Sequence, residues 1–435
     1  MVSNLASQVK NNKCQEQLDE RLFPHPIVPL YTERNMKSMK SKIFSFNTVF
    51  VLIILVVISI LVLIPTGFEK NAQPGSIRSE VEILEVDNSL IHQFGLIREG
   101  SQVCTIRVLN GPFKGFETKA VNQLIGKLEM DKIYLPGDRA LSVIDIKDNN
   151  VSYVNLVDHY RINLELILFM GFILVLVLFA GWTGVKAVLS FVFTILMIWK
   201  ILIPCFLKGY NPIIIAMLVV TAMTAVTIFL VAGINRKSWV AFLGSLSGSV
   251  LTCILAIVFG KYFKVHGAIL SFSESLLYSG YAHLNLTDIF IAGIFIASTG
   301  ALMDLAMDIS AAVYEIVEKK PDISKMEAIR SGFSIGRAVT GTMTTTLLLA
   351  YSGGYVALLM VFMAQGTPIL NILNLKYVAA EIMHTIVGSF GLITVAPFTA
   401  ILSGIFFTAP TAPYVGTNTI EKTDARDLST ESELN

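Results

Sequence analysis

The sequence predicts a polytopic α-helical membrane protein of about eight spans, with a small all-β extracytoplasmic domain between spans one and two. Three observations carry this. Of 435 residues, 54% are hydrophobic and only 15% are charged, a balance outside the range of soluble domains. Apolar runs of about 20 residues, enough helix to cross a hydrocarbon core, recur along the chain. Between the first two such runs lies a polar stretch whose apolar residues alternate with period two, the signature of half-buried strands. The charges nearly cancel, 33 Lys and Arg against 32 Asp and Glu, so no excess of one sign points to nucleic acid, and no such partner is expected. Cys14, Cys104, Cys205 and Cys253 stand far apart without ligand spacing. Neither a disulfide framework nor a zinc site is indicated, and no cofactor is expected.

Residues 1–45 open the chain as a cytoplasmic segment whose first thirty or so residues have no periodic apolar face, the composition of a disordered region. Residues 46–65 form the first span, Phe46 to Ile64, preceded by Arg34, Lys37, Lys40 and Lys42. No small-residue cleavage pattern follows it, and more than forty residues precede it, so it reads as an uncleaved anchor. Residues 66–161 carry the runs EVEILEV, CTIRVL, KGFETKAV, LSVIDI and VSYVNLV, separated by turn signals at Asn110-Gly111-Pro112, Pro136-Gly137-Asp138 and Asn149-Asn150. Strands of that number and length fit a small barrel, the five-stranded open type being one form, that binds protein or acts as a spacer.

Residues 162–408 are expected to hold about seven further spans, near Ile162 to Ala180, Val185 to Leu207, Pro212 to Gly233, Trp239 to Phe259, Ile289 to Ile309, Val339 to Met363 and Tyr377 to Phe407. The last is too long for one simple crossing and contains Gly388, Gly391 and Pro397, so it reads either as a span with a half-buried piece or as two short spans. Residues 409–435 form a polar tail. Basic residues in short loops mark the cytoplasmic side. An amino terminus in the cytoplasm of a cell-membrane protein places the first basic cluster, Arg236 with Lys237, and the Lys319, Lys320, Lys325, Arg330, Arg337 group inside, while Lys200, Lys208, Lys261 and Lys264 fall outside and count against it.

The sixth span carries an unusual stripe. On a 100° wheel Gly293, Ala297, Gly300, Asp304, Asp308, Ala311 and Glu315 fall within about 40° of Asp304. Small side chains let another backbone approach, so Gly293, Ala297 and Gly300 are expected to pack a neighbouring helix. Acids on the same stripe are then expected to face protein or a water-filled path, where they can bind a proton or coordinate a cation. The plainer reading is interfacial: Asp304 stands fifteen residues past Ile289, roughly 23 Å along the axis, and Glu315 lies beyond the bilayer core. The seventh span opens with Arg337 and then carries Thr340, Thr342, Thr344, Thr345 and Thr346. Thr342 and Thr345 are candidates for a polar path, although threonine hydroxyls often serve only their own helix. Arg337 can pair with Asp308 or act as a positive-inside anchor. In the eighth span Glu381 and His384 stand three residues apart on one helical face; a lone Glu-x-x-His does not define a metal site, and the metal question stays open.

Three segments, GALMDLAMDISAAVYEI (Gly300 to Ile316), GRAVTGTMTTTLLLAYSGG (Gly336 to Gly354) and EIMHTIVGSFGLITVAPFTA (Glu381 to Ala400), resemble the YibE/F family of multi-spanning membrane proteins over roughly Val81 to Phe407. The family pattern usually has Asn where this chain has Thr345 and a basic residue where it has His384. The first departure weakens a polar cluster at Thr345, and the second favours a cationic partner for Glu381 over a metal ligand. The resemblance implies a multi-spanning membrane protein and little about a substrate.

The residues therefore support a transporter or permease for a proton, cation or small solute. The alternative is a structural or assembly protein whose outer domain binds an envelope partner or which forms a homo-oligomer. An intramembrane enzyme is disfavoured: two acids four apart on one helix cannot embrace a substrate, and no HExxH, nucleophile elbow or phosphate-cradling loop is present.

Overall fold

The computed structural model describes residues 30–68, 76–147 and 150–408, with side chains from residue 47 onward. The first 29 residues, the Asn149 turn position and the tail from 409 lie outside the described residues. Helix α1 runs Leu30–Leu63, and its apolar part is Asn47–Leu63.

Strands β1 (Ser76–Phe94), β2 (Ile97–Val108), β3 (Glu117–Ile125), β4 (Arg139–Lys147) and β5 (Asn150–His159) close into a barrel in the order β1-β2-β3-β5-β4. The β3–β5 pair is parallel, through Val121 and Asn155, and the other four are antiparallel. Alternate residues Val81, Ile83, Cys104, Ile106, Ala120, Ile144, Val154 and Leu156 point inward and are buried, as period-two patterning requires. Register shifts after Ile83 and Asp87 bend β1, which lets one long strand serve two sides of a small barrel. Two buried amides organise one end. Gln102 accepts from the Tyr134 N–H at 3.0 Å and donates to its carbonyl at 3.0 Å, while Asn122 donates to Gln102 at 3.1 Å and to the Lys132 carbonyl at 2.7 Å. The connection carrying Tyr134 is thereby held across the barrel, since burying those amides without partners would cost about 1–3 kcal/mol each.

The longer helices that follow are α2 (Ile162–Leu196, continued by a π-turn and by Ile203–Leu207), α3 (Pro212–Ala232), α4 (Arg236–Phe263), α5 (Leu286–Lys319), α6 (Lys325–Ser352), α7 (Val356–Ala364) and α8 (Lys376–Phe407). Their starts are written in the sequence. Asn211, Asn235, Asn285 and Ser324 each accept a hydrogen bond from a backbone N–H of the first turn, satisfying donors a helix leaves open.

Among the described residues six helices are long and apolar enough to cross a membrane, against the eight expected. The first apolar stretch is shorter than the rest, and the second and third expected spans fall in one run, Ile162–Leu207. That run is not straight. Gly181 has φ 55° and ψ −130°, outside helical space, and Phe191 lies within 6.1 Å of Phe169 and 6.2 Å of Phe172, ring centre to ring centre. In a continuous helix 22 residues would separate the first pair by about 33 Å. The chain doubles back at Gly181. The final segment is one 32-residue helix enclosing Pro397, not two pieces.

Helices α4, α5, α6 and α8 pack around an apolar core of Leu302, Leu305, Ile309, Val313, Leu347, Leu392 and Val395 with their neighbours. Their close approach rests on glycines other than the expected ones. A Cβ at Gly244 would stand 2.1 Å from Thr399 Oγ1, one at Gly248 2.1 Å from Val395 Cγ2, and one at Gly391 1.8 Å from Thr252 Oγ1. Gly332 and Gly336 on α6 meet Ala400 and Ala396 of α8 in the same way, at 2.8 and 2.9 Å. This is small-residue packing of the kind membrane helices use where lipid supplies no hydrophobic drive.

Candidate functional site

Helix α5 turns Leu302, Leu305, Ala306, Ile309, Ser310 and Val313 into the core. The opposite face carries Gly293, Ala297, Gly300, Asp304, Asp308, Ala311 and Glu315, and every one of these is exposed. A Cβ at Gly293 or Gly300 would meet nothing within 4 Å. The expectation that this small-residue stripe packs another helix of the chain is therefore corrected: it floors an open surface. The wheel had shown which residues share a face but could not show where that face points.

Toward the Lys319 end, the stripe leads into an open cleft of about 700 Å³ lined by Lys237 of α4, Asp308, Tyr314 and Glu315 of α5, and Ile335 and Val339 of α6. The Ser310 hydroxyl donates to the Lys237 carbonyl at 2.8 Å, tying α5 to the start of α4, and the Lys237 ammonium sits 5.0 Å above the Tyr314 ring. Glu315 already has a cation: Lys319 Nζ at 2.7 Å, one turn along the same helix and also exposed. Water screens such an exposed pair, so it adds little to stability.

Arg337 does not pair with Asp308. Among the described residues no ion pair joins them, although Gly336 abuts Ile309 and so sets the two charged residues at one level. Arg337 instead lies exposed on the outer face of α6, with Gly341 and Thr345. Thr342 donates to the Val339 carbonyl at 2.9 Å, Thr344 to Thr340 at 2.8 Å and Thr346 to Thr342 at 3.1 Å. Each of these three hydroxyls bonds a carbonyl of its own helix.

Glu381 and His384 of α8 form a second polar group. His384 Nδ1 stands 3.8 Å from Glu381 Oε2, the imidazole stacks on Tyr351 of α6 at 4.4 Å with 27° between planes, and its Nε2 is buried without a hydrogen-bond partner. Glu381 also borders a cavity of about 190 Å³ shared with Ser352, Tyr355 and Thr385. This group is remote from the acids of α5. Gly388, one turn beyond His384, lies against Ser298 and Leu347, whereas Asp308 is level with Gly336 and Ala396. Between them stand Leu302, Leu347, Leu392 and Val395, all buried in one cluster. Eight or more helical residues along α8 amount to about 12 Å or more. Among the described residues no three His, Cys, Asp or Glu converge as metal ligands.

A third polar feature went unread in the sequence. Ser245, Ser249 and Thr252 of α4, Ser298 and Thr299 of α5, and Ser389, Thr399 and Ser403 of α8 are buried, and the hydroxyls of Ser245, Thr399 and Ser403 lack a partner. The run GSLSGSVLTC, Gly244 to Cys253, with a small residue at almost every second position, was its visible signal.

With this geometry in place, comparison with known families is decisive. The sequence profile of YibE/F-like proteins matches residues 168–409, more than half of the chain. The chain belongs to the YibE/F-like family. The YibE/F-like match takes in the α5 stripe, the threonine helix and the Glu381–His384 pair, and it starts after the barrel, so the resemblance expected from Val81 onward is narrowed to the helical part. No curated protein and no solved structure matches the chain.

Proposed function

We propose that this YibE/F-like protein is a multi-pass cell-membrane transporter or permease for a proton, cation or small solute, with its amino terminus in the cytoplasm and with Asp304 and Asp308 as the groups that bind the transported species. The observation that carries this reading is the disposition of polar groups at two depths. Glu381 and His384 lie at one end of the apolar layer of Leu302, Leu347, Leu392 and Val395, and the open stripe of α5 carries Asp304 beside that layer and Asp308 at its other end. Two polar sites separated by an apolar layer are the minimum that alternating access needs. Ionised Asp at mid-bilayer costs roughly 2.5–3.5 kcal/mol, a cost borne where the group has work to do.

The test is reconstitution of the wild type and of the Asp304→Asn, Asp308→Asn double variant in vesicles, with proton and cation fluxes measured and melting followed in the same preparations. Both side chains are exposed, so the variant is expected to fold. The expected result is loss of flux with melting kept. Equal flux in the two proteins would overturn the assignment of the acids, and no flux in either would overturn transport of these ions.

A second reading has its own observation. At the tip of the β1–β2 hairpin, Leu90, Phe94, Leu96 and Ile97 are exposed, an apolar cluster that soluble surfaces rarely leave uncovered. It favours an assembly role in which the barrel holds an envelope partner. Crosslinking at Phe94 that captures one reproducible partner, with flux absent, would support it.

A further inference from the structure

The barrel concentrates its exposed large apolar side chains at one end. Strands β1 and β5 each pair antiparallel with β4, and β3 pairs parallel with β5, so β1, β3 and β5 all run toward that end. There the chain leaves β5 at His159 and starts helix α2 at Ile162. Asp158 pairs with Arg161 at 3.1 Å, and the Tyr160 N–H donates to the Arg139 carbonyl at 2.9 Å, which ties the exit to the barrel. Leu164, Leu166, Ile167 and Leu168, spread round the first turns of α2, are exposed, as suits a helix that enters lipid at once. The end toward which β1 points is therefore the end at the membrane surface. Beyond Val81, which Ala140 links to His159, β1 continues as far as Phe94. No residue of β1 after Ile83 is buried, and past the Glu99–Ile125 pair the β1–β2 hairpin has no third strand. A hairpin of two strands alone is marginal in water. Phe94 pairs with Ile97 and Leu90 with Ser101, which puts Leu90, Phe94 and Ile97 on one face. Ile125 continues that face on β3, Leu96 stands at the turn and Leu128 follows β3, and all six are exposed.

We propose that this end of the barrel rests in the membrane surface, with the tip of the β1–β2 hairpin, Phe94 and Leu96 foremost, buried among lipid headgroups and the upper acyl chains. An apolar cluster of this kind needs cover. Connectivity makes lipid the cover, because the bilayer that α2 enters at Ile162 lies at the same end of the barrel. Aromatic and aliphatic side chains on a polar support are what the interface accepts, to a depth of about 5–10 Å. The tip does not go deeper, since the strand edges left unpaired past Glu99 carry N–H and C=O groups that need water. Arg98 and Lys127 beside the cluster are matched by Glu99 and Glu129, all of them exposed. Burial of apolar surface, not attraction to anionic lipid, therefore holds the tip, and neutral lipid suffices. Transport plays no part in this assignment. A protein partner at Phe94 is the competing occupant, and the measurement separates the two.

The full chain, with Cys14 and Cys205 replaced by alanine, is spin-labelled at Phe94→Cys, Leu128→Cys or Tyr153→Cys and placed in nanodiscs of zwitterionic phosphatidylcholine. Cys104 and Cys253 are buried and stay. Tyr153 is exposed near the start of β5, at the other end of the barrel. Relaxation of each label by oxygen, which concentrates in lipid, is compared with relaxation by a water-soluble nickel chelate. The ratio of oxygen to nickel access is expected to be about tenfold higher at position 94 than at 153, as interfacial burial of the tip requires, with 128 following 94. Adding Leu96→Asp and Ile97→Asp to the chain labelled at 94 should bring its ratio down to that at 153. Circular dichroism and melting curves accompany each sample, and if Phe94→Cys does not fold, the label at 128 decides. A label at the tip as open to nickel as the one at 153 overturns the proposal and leaves the cluster to a protein partner. A label closed to both reagents overturns it too, since protein within the nanodisc then covers the tip.

Discussion

At the residue scale the glycines divide into two kinds that look alike in sequence. Gly391 has Thr252 Oγ1 1.8 Å from the position of a Cβ, whereas Gly293 has nothing within 4 Å. Gly391→Ala is therefore expected to lower the melting temperature, since overpacking a fitted interface costs about 1–3 kcal/mol. Gly293→Ala should leave it within error, and equal effects would contradict the packing described. Cys104 offers a second test in the barrel. It is fully buried, and burial pushes its thiol up to about 11 from an ordinary value of 9.0, because a thiolate inside would lose its hydration. A raised folded value means that the neutral thiol's contribution to stability is intact below pH 9 and is lost as pH rises through 11. Thermal melting of the barrel, read by β-sheet circular dichroism in the full chain, should fall over that interval. Cys104→Ala should melt lower at neutral pH but lose less of its stability between those two values. An unchanged alkaline slope would show that the thiol does not ionise on unfolding.

At the element scale, strands were legible because a barrel with one buried face imposes period two on its sequence, and each of the five expected runs lies within or overlaps a strand. The apolar helices were legible from length and composition. What the sequence could not show was the outlook of a helix face. A stripe containing Gly300 and Asp304 has the same wheel whether it meets a neighbour or stands open, and the difference lies in which other stripe won the core, here Leu302, Leu305 and Ile309. The buried stripe of α4 was missed for a related reason: serine and glycine at Gly244, Ser245 and Gly248 read as weak helix, although in a membrane they are contact surface. The turn at Gly181 was legible as a gap between Ala180 and Val185, and it makes a prediction of its own. Cysteines placed at Phe169 and Phe191 should be joined within one chain by a short bifunctional thiol crosslinker, since the rings they replace lie 6.1 Å apart. A straight Ile162–Leu207 helix would hold them about 33 Å apart, beyond such a reagent's reach, so failure to crosslink in folded protein would remove the hairpin.

At the scale of the whole molecule the decisive feature is the order of layers along the four-helix core. Ser298, Leu347 and Gly388 meet at one level, Leu302 and Val395 close on Gly248 at the next, and Ile309, Gly336 and Ala396 meet beyond. The Glu381–His384 group lies before this series, and Asp308 stands at its far end. Leu302, Leu392 and Val395 form an apolar layer at the middle level, with the buried hydroxyls of α4 and α8 beside it. If the proposed transport runs through it, shortening the layer should separate conduction from coupling. Leu302→Ser with Leu392→Ser replaces two fully buried side chains by small polar ones and admits water, because a polar cavity of that size holds ordered water where an apolar one stays dry. In vesicles the double variant is expected to leak protons down an imposed gradient, with the leak insensitive to Asp304→Asn. The wild type should stay tight and lose its flux on that substitution. A folded double variant as tight as the wild type would place any route elsewhere, with the hydroxyl-lined α4–α8 interface of Ser245, Thr399 and Ser403 the next place to cut.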